Sequence, residues 1–192
     1  YLAGRSSQYK ASGGEGGDRL DVKFRMFAPN RRVDDWSAAG WEVGPISQFL
    51  RPRQYDEDTV VSGDSDEAVR VLVVRYNGDA SEAEEVVPSE SSYGRLYPVS
   101  SGDIVISNIA ASYGSVAFVP EDLDGAVVSS EYTVLQAKDG YDAKVLKIIL
   151  RSPEIRSDIL LSSSGANRTR TRWVLMKDVQ IPYTSGKTLA GI

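Results

Sequence analysis

The chain has 192 residues, 41% of them hydrophobic and 26% charged, with a formal net charge of −5. That is long enough for one domain with a real core, and the acidic balance argues against a non-specific nucleic-acid binder, which is usually basic overall. There is no cysteine and no histidine, so disulfides, thiol nucleophiles, imidazole zinc sites and the Ser-His-Asp triad are all excluded. The lysines and acids show no recognisable catalytic spacing, so no catalysis, metal site or cofactor is expected. No stretch approaches the roughly 18 apolar residues that cross a bilayer, so no membrane partner is expected either.

Residues 1–18 are poor in apolar groups and contain Gly13-Gly14-Glu15-Gly16-Gly17, which reads as a flexible leader or linker. The start at Tyr1 rather than methionine is what a fragment or processed product would show. Order is expected from Arg19-Leu20-Asp21 to Pro182, with 183–192 as a loose tail. Within that span a short strand is expected near Val43, with a helical turn before Pro52. A strong strand runs from Val69 to Tyr76, bounded by the turn Asn77-Gly78-Asp79. Two acidic clusters flank it, one from Asp56 to Glu67 and one from Asp79 to Glu90, and both are expected in loops. Short β-rich segments follow at Leu96–Val99, Asp103–Ile109, Ser115–Val119, Ala126–Val128 and Glu131–Leu135, each bounded by turn residues. Asp103, after Ser100-Ser101-Gly102, is expected to cap its turn rather than act as an acid.

The period then changes to that of a helix. Val145, Leu146, Ile148, Ile149 and Leu150 are spaced for a buried helix with Asp142 as N-cap. Ser152-Pro153-Glu154 restarts a second helix, with Ile155, Ile159 and Leu160 on one face and Gly165 as a left-handed stop. A closing strand is expected at Val179–Ile181. The fold class is α+β, a twisted, partly barrel-like β-sheet core with a few helices.

Charge is unevenly placed. Between Lys144 and Lys177 lie eight cations, opposed only by Glu154 and Asp158. Arg168, Arg170 and Arg172 alternate with threonines, so in an extended segment they share one side. Planar guanidiniums suit phosphate oxygens and the O6/N7 edge of guanine. A solvated strand edge, where cations block aggregation, explains the same pattern. Arg151 and Lys147 fit the simpler role of complementing a helix C-terminus. Asn167, Asn108, Tyr113 and Ser129 sit in polar turns where Asn could meet adenine and Tyr a sugar or phosphate; Arg75 is a weaker candidate.

Several segments resemble a known family. Leu96 to Ile109 (LYPVSSGDIVISNI) resembles the central strand-turn-strand signature of target recognition domains in specificity subunits of type I restriction-modification systems. Leu123 to Ser129, Leu150 to Arg156, Gly165 to Trp173 and Asp178 to Pro182 follow in that family's order. Arg19-Leu20-Asp21 and Trp41-Glu42-Val43 resemble its opening, so the likeness covers roughly residues 19–182. It implies a DNA-reading module without chemistry of its own, in the cytoplasm of a bacterium or archaeon. Such a module directs a DNA methyltransferase subunit, and sometimes a restriction or translocase subunit, to a site on double-stranded DNA. It implies that base reading falls to about Arg51–Arg95 and the loops near Asn108 and Asn167. Two other readings stay open: a protein-interaction module whose basic face docks an acidic partner subunit, and a carboxylate-dependent nuclease using acids such as Asp64 and Asp66.

Overall fold

The computed structural model describes residues 29–163 and 170–184. The expected leader, the start at Arg19–Asp21, the Gly165 stop, Asn167, Arg168 and the tail from residue 185 lie outside them. The chain divides into two units, 1–42 and 43–192. In the first, Pro29 opens helix α1 (Pro29–Ala38), where its fixed φ suits the first helical turn, and the Arg32 guanidinium lies 5.8 Å from the Trp36 ring centre one turn on. Sequence reading does not anticipate this helix, because its only apolar pair at helical spacing is Val33 and Trp36, too few to mark a buried face in ten residues.

The second unit follows from strand β1 (Glu42–Pro45) through the turn of helix α2 (Ile46–Phe49) to β2 (Leu50–Pro52), as Val43 and Pro52 suggest. Strands β3 (Val61–Ser62), β4 (Val69–Val74), β5 (Ala80–Val86), β6 (Arg95–Pro98) and β7 (Ile104–Ser107) come next. They are followed by β8 (Val116–Phe118), β9 (Val127–Ser129) and β10 (Tyr132–Ala137). Helices α3 (Ala143–Leu150), α4 (Pro153–Ser162) and the single turn α5 (Trp173–Met176) precede β11 (Gln180–Tyr183). The strands form a pair β1-β11, an antiparallel sheet β2-β10-β7-β8, and a sheet β3-β6-β9-β4-β5 in which only β4 and β9 run parallel.

Period-two alternation joins the two larger sheets. Leu72 and Val74 of β4 and Val128 of β9 enter one core with Val105, Ala117 and Val134 from the other sheet. Val71, Val127 and Leu96 point the opposite way into a smaller cluster with Val61, Val69 and Val86. The result is the mixed helix and strand fold, with a curled, half-barrel sheet, that the sequence pattern predicts.

Both predicted helix starts are present. Asp142 accepts from the N–H groups of Lys144 (2.7 Å) and Val145 (3.3 Å), and Ser152 Oγ accepts from Ile155 N–H. Three expectations need correction. The second acidic cluster is not a loop throughout: β5 pairs with β4 from Val74↔Ala80 to Val69↔Val86, with a bulge between Val71 and Leu72. Glu and Ala disfavour strands, but β5 is the sheet's last strand, where charge is tolerated and discourages further pairing. Leu160 is 45% exposed, because α4 packs through Ile155 and Ile159 alone. Tyr183 belongs to the core rather than the tail: its ring packs on Phe49 and Tyr141, and its hydroxyl accepts from Asp142 N–H at 3.0 Å.

Asp103 does cap its turn, accepting from Ser100 N–H at 2.8 Å, and it also receives the Arg53 guanidinium at 2.8 and 3.0 Å. Arg53 Nη2 donates to Ser100 Oγ as well, and Arg53 N–H to Val134 O, so one carboxylate ties the end of β2 to the start of β7. Burial raises the Asp103 pKa, although Ser100 N–H and Arg53 pull it down. Asp103→Ala is expected to cost about 2–3 kcal/mol in urea denaturation, because Arg53 and Ser100 N–H lose their acceptor. The folded chain holds the Asp103 proton more tightly than the unfolded chain. This group's contribution therefore falls as pH rises above about 4, and the variant's deficit narrows in the same direction.

Candidate nucleic-acid interface

Strand β7 ends at Ser107, and the next residue, Asn108, is only 8% exposed. A buried amide must find partners, and every polar group of Asn108 has one. Its N–H donates to Glu131 O at 2.8 Å, and its carbonyl accepts from Thr171 N–H at 2.7 Å. Its Nδ2 donates to Ser130 O at 3.3 Å, and its Oδ1 accepts from Thr133 Oγ1 at 2.7 Å. One residue thus holds the β9–β10 turn on one side and the segment before α5 on the other.

Thr171 is 3% exposed, and its Oγ1 lies 2.6 Å from Ser163 Oγ at the end of α4. With Thr171 turned inward, Arg170 and Arg172 turn outward, as alternation requires. Both line a cleft of about 490 Å³ whose other walls include Asn108, Glu131, Thr133 and Trp173. Arg170 is not bare: its Nη2 donates to Glu131 Oε1 at 2.5 Å, with the two side chains 39% and 40% exposed. Arg170 Nε faces inward without a partner among the described residues. The Glu131 main chain is held at both ends, by Asn108 N–H on its carbonyl and by its own N–H on Ser129 Oγ at 3.4 Å.

Beside this cleft lies a smaller hollow of about 180 Å³ lined by Tyr55, Tyr97, Ser130, Tyr132 and Val134. Burial raises the pKa of both Tyr55 and Tyr132, and the Tyr55 hydroxyl is buried without a partner among the described residues. The two hollows share Ser130 and Tyr132, so an aromatic wall continues from the cationic one.

Of the eight residues singled out by sequence, Arg170, Arg172 and Asn108 line the cleft, and Ser129 supports it through Glu131. Asn108 is a clamp there, with its amide committed to Ser130 and Thr133. Tyr113 and Arg75 do not line it. Tyr113, in the 3-10 turn Ala111–Tyr113, is 69% exposed and meets exposed Tyr76 edge-on at 6.1 Å. Arg75, next to Tyr76, donates to Ser81 Oγ. Arg151 stands behind that second patch and donates to the carbonyls of Gly114 (3.2 Å) and Tyr76 (3.4 Å), a role beyond complementing a helix end. Asn167 and Arg168 lie outside the described residues. Sequence reading missed Glu131 and Thr133 as partners; their link to Arg170 and Asn108 spans 39 and 25 residues and leaves no local pattern. Of the acids Asp64 and Asp66, the latter is occupied as an acceptor for Ser89 Oγ at 2.7 Å, and no acidic group suited to a metal occurs among the described residues.

No protein-family model and no curated protein matches the chain. Solved structures do. The crystal structure of the HsdS subunit from Thermoanaerobacter tengcongensis aligns over 74% of this chain with a TM-score of 0.59 and 18% identity. The fold is that of an HsdS subunit. A second match comes from a structure describing complex assembly and conformational transition of the type I R-M system, over 75% of this chain with a TM-score of 0.58 and 18% identity. This chain spans 37% and 38% of the length of those two chains. The motif resemblance read from Leu96 to Ile109 and beyond therefore holds at the level of the HsdS fold.

If the Asn108 amide holds the cleft together, Asn108→Ala should cost about 1–3 kcal/mol in urea denaturation, since Thr133 and Ser130 lose buried partners. A loss under about 0.5 kcal/mol would mean that water replaces the amide and that the main-chain bonds suffice.

Proposed function

We propose that this chain is a sequence-specific reader of double-stranded DNA that directs a partner methyltransferase, and in some assemblies a restriction subunit, to a defined site. The reading is non-catalytic and belongs to the cytoplasm of a bacterium or archaeon. The observation that carries it is the pairing of an HsdS fold with a cleft in which Arg170 and Arg172 face outward beside Trp173. Guanidiniums serve a duplex in two ways, anchoring phosphates or reading guanine, and an indole adds an amphipathic flat surface. Of the cations between Lys144 and Lys177, Arg170 and Arg172 line the cleft and supply its local attraction for a polyanion, whereas Lys144 and Lys147 line a separate hollow with Asp79 and Phe118, and Arg151 backs the Tyr76–Tyr113 contact. Tyr113 and Tyr76 form a second candidate contact, suited to backbone positioning, and Arg75, bonded to Ser81, is a weaker candidate.

Arg172, which has no carboxylate partner among the described residues, is the expected phosphate anchor. Arg172→Ala should weaken binding to all duplexes alike and flatten the dependence of log affinity on log salt by about one unit, read by fluorescence anisotropy. Absence of affinity for any duplex at low salt, with retained binding to an acidic protein subunit, would replace this reading by a protein-docking one.

A further inference from the structure

A lone arginine offered to DNA meets two kinds of acceptor, the charged phosphates and the O6/N7 edge of guanine. Phosphates are more numerous and carry full charge, so an unaccompanied guanidinium is drawn to them on any sequence. Arg170 is accompanied. Its Nη2 is hydrogen-bonded to Glu131 Oε1 at 2.5 Å, and both side chains are about equally exposed at the cleft. A phosphate that reaches Arg170 must approach the Glu131 carboxylate too, and like charges repel. A neutral base edge meets no such penalty.

The pair also presents a pattern. Arg170 Nη1 has no partner among the described residues, so the terminal end of the guanidinium still offers donors. A carboxylate accepts at about four lone-pair positions, so Glu131 retains acceptor capacity beside them. Read across, the pair is donor, donor, acceptor. In the major groove a G·C pair shows acceptor N7, acceptor O6 and donor N4–H, which is the complement; an A·T pair shows acceptor, donor, acceptor and a methyl group. The order is kept because both residues hang on Asn108, Glu131 through its carbonyl and Arg170 through the N–H of Thr171.

We infer that the Arg170–Glu131 pair reads one G·C base pair in the major groove, and that Glu131 keeps Arg170 off the phosphates. This rests on the reading of the chain as a duplex binder and deepens it by naming what one part of the cleft recognises.

The test is selection of bound duplexes from a randomised double-stranded pool by the full chain, repeated with Arg170→Lys and Glu131→Gln. Wild type should select a site with at least one fixed G·C pair. Arg170→Lys keeps the charge but loses the planar fork, and should lose the preference at that one position by about tenfold or more. Glu131→Gln should relax the same position, raise affinity for random-sequence duplex, and steepen the salt dependence by about one phosphate contact. Both substitutions are near-isosteric at half-exposed sites, and melting curves check that each variant folds. Should one fail to fold, the other decides alone, because both predict loss at the same position. Unchanged preference at every position in the folded variants, with wild type still selecting a site, would overturn the pair as reader while leaving DNA recognition intact. If wild type selects no duplex at all, the underlying reading falls with it.

Discussion

Everything proposed for the cleft depends on one buried asparagine. Asn108 sits where β7 leaves the core, and its four polar groups are each spent on a different partner. Leaving any of them unmatched in a buried position would cost more than the bond itself yields, so the surrounding segments are fixed by exclusion of alternatives. Glu131 and Thr171 are 40 residues apart in sequence, yet both are located by the main chain of this residue. The outward arginines inherit their placement from it, because Thr171 must turn inward for its N–H and hydroxyl to be satisfied.

That clamp works because the sheets beneath it are rigid at the right place. Strands β4 and β9 of one sheet and β7, β8 and β10 of the other fill a common core with short β-branched and small side chains. The Arg53–Asp103 pair then joins the loop after β2 to the entry of β7, at the opposite end of that strand from Asn108. Strand β7 is thus anchored at both ends by a half-buried or buried polar residue, and it is fully buried between them. Loops that leave such a strand can vary in sequence without loosening the frame, which suits a surface that must discriminate between targets.

Local chemistry was legible in the sequence, and long-range chemistry was not. Asp142, Ser152 and Pro153 announce helix starts because capping is settled within three residues. The apolar run of β4 announces a buried strand for the same reason. By contrast, β5 is acidic and Ala-rich, and only its pairing with β4 makes it a strand. Tyr183 reads as the first residue of a tail because nothing nearby reveals that Phe49 and Tyr141 await it. The alternation of Arg170 and Arg172 was readable, whereas the carboxylate that qualifies Arg170 was not. Asn108 reads in the sequence as a polar residue at a strand end, but its place as a clamp depends on the turn at Ser130–Glu131 and the hydroxyl of Thr133, which lie more than 20 residues away. Tyr113, grouped with the arginines by residue type, belongs to a different patch with Tyr76 and Arg151, and Arg75 turns to Ser81 of β5.

NMR titration of the labelled chain with its selected DNA decides whether the cleft around Asn108 is the surface that meets a duplex. The Nε–H signals of Arg170 and Arg172 and the amides of Glu131 and Thr171 should shift strongly, while amides around Tyr141 and Tyr183 stay still. Shifts confined to regions away from these residues, or none on saturation, would contradict it.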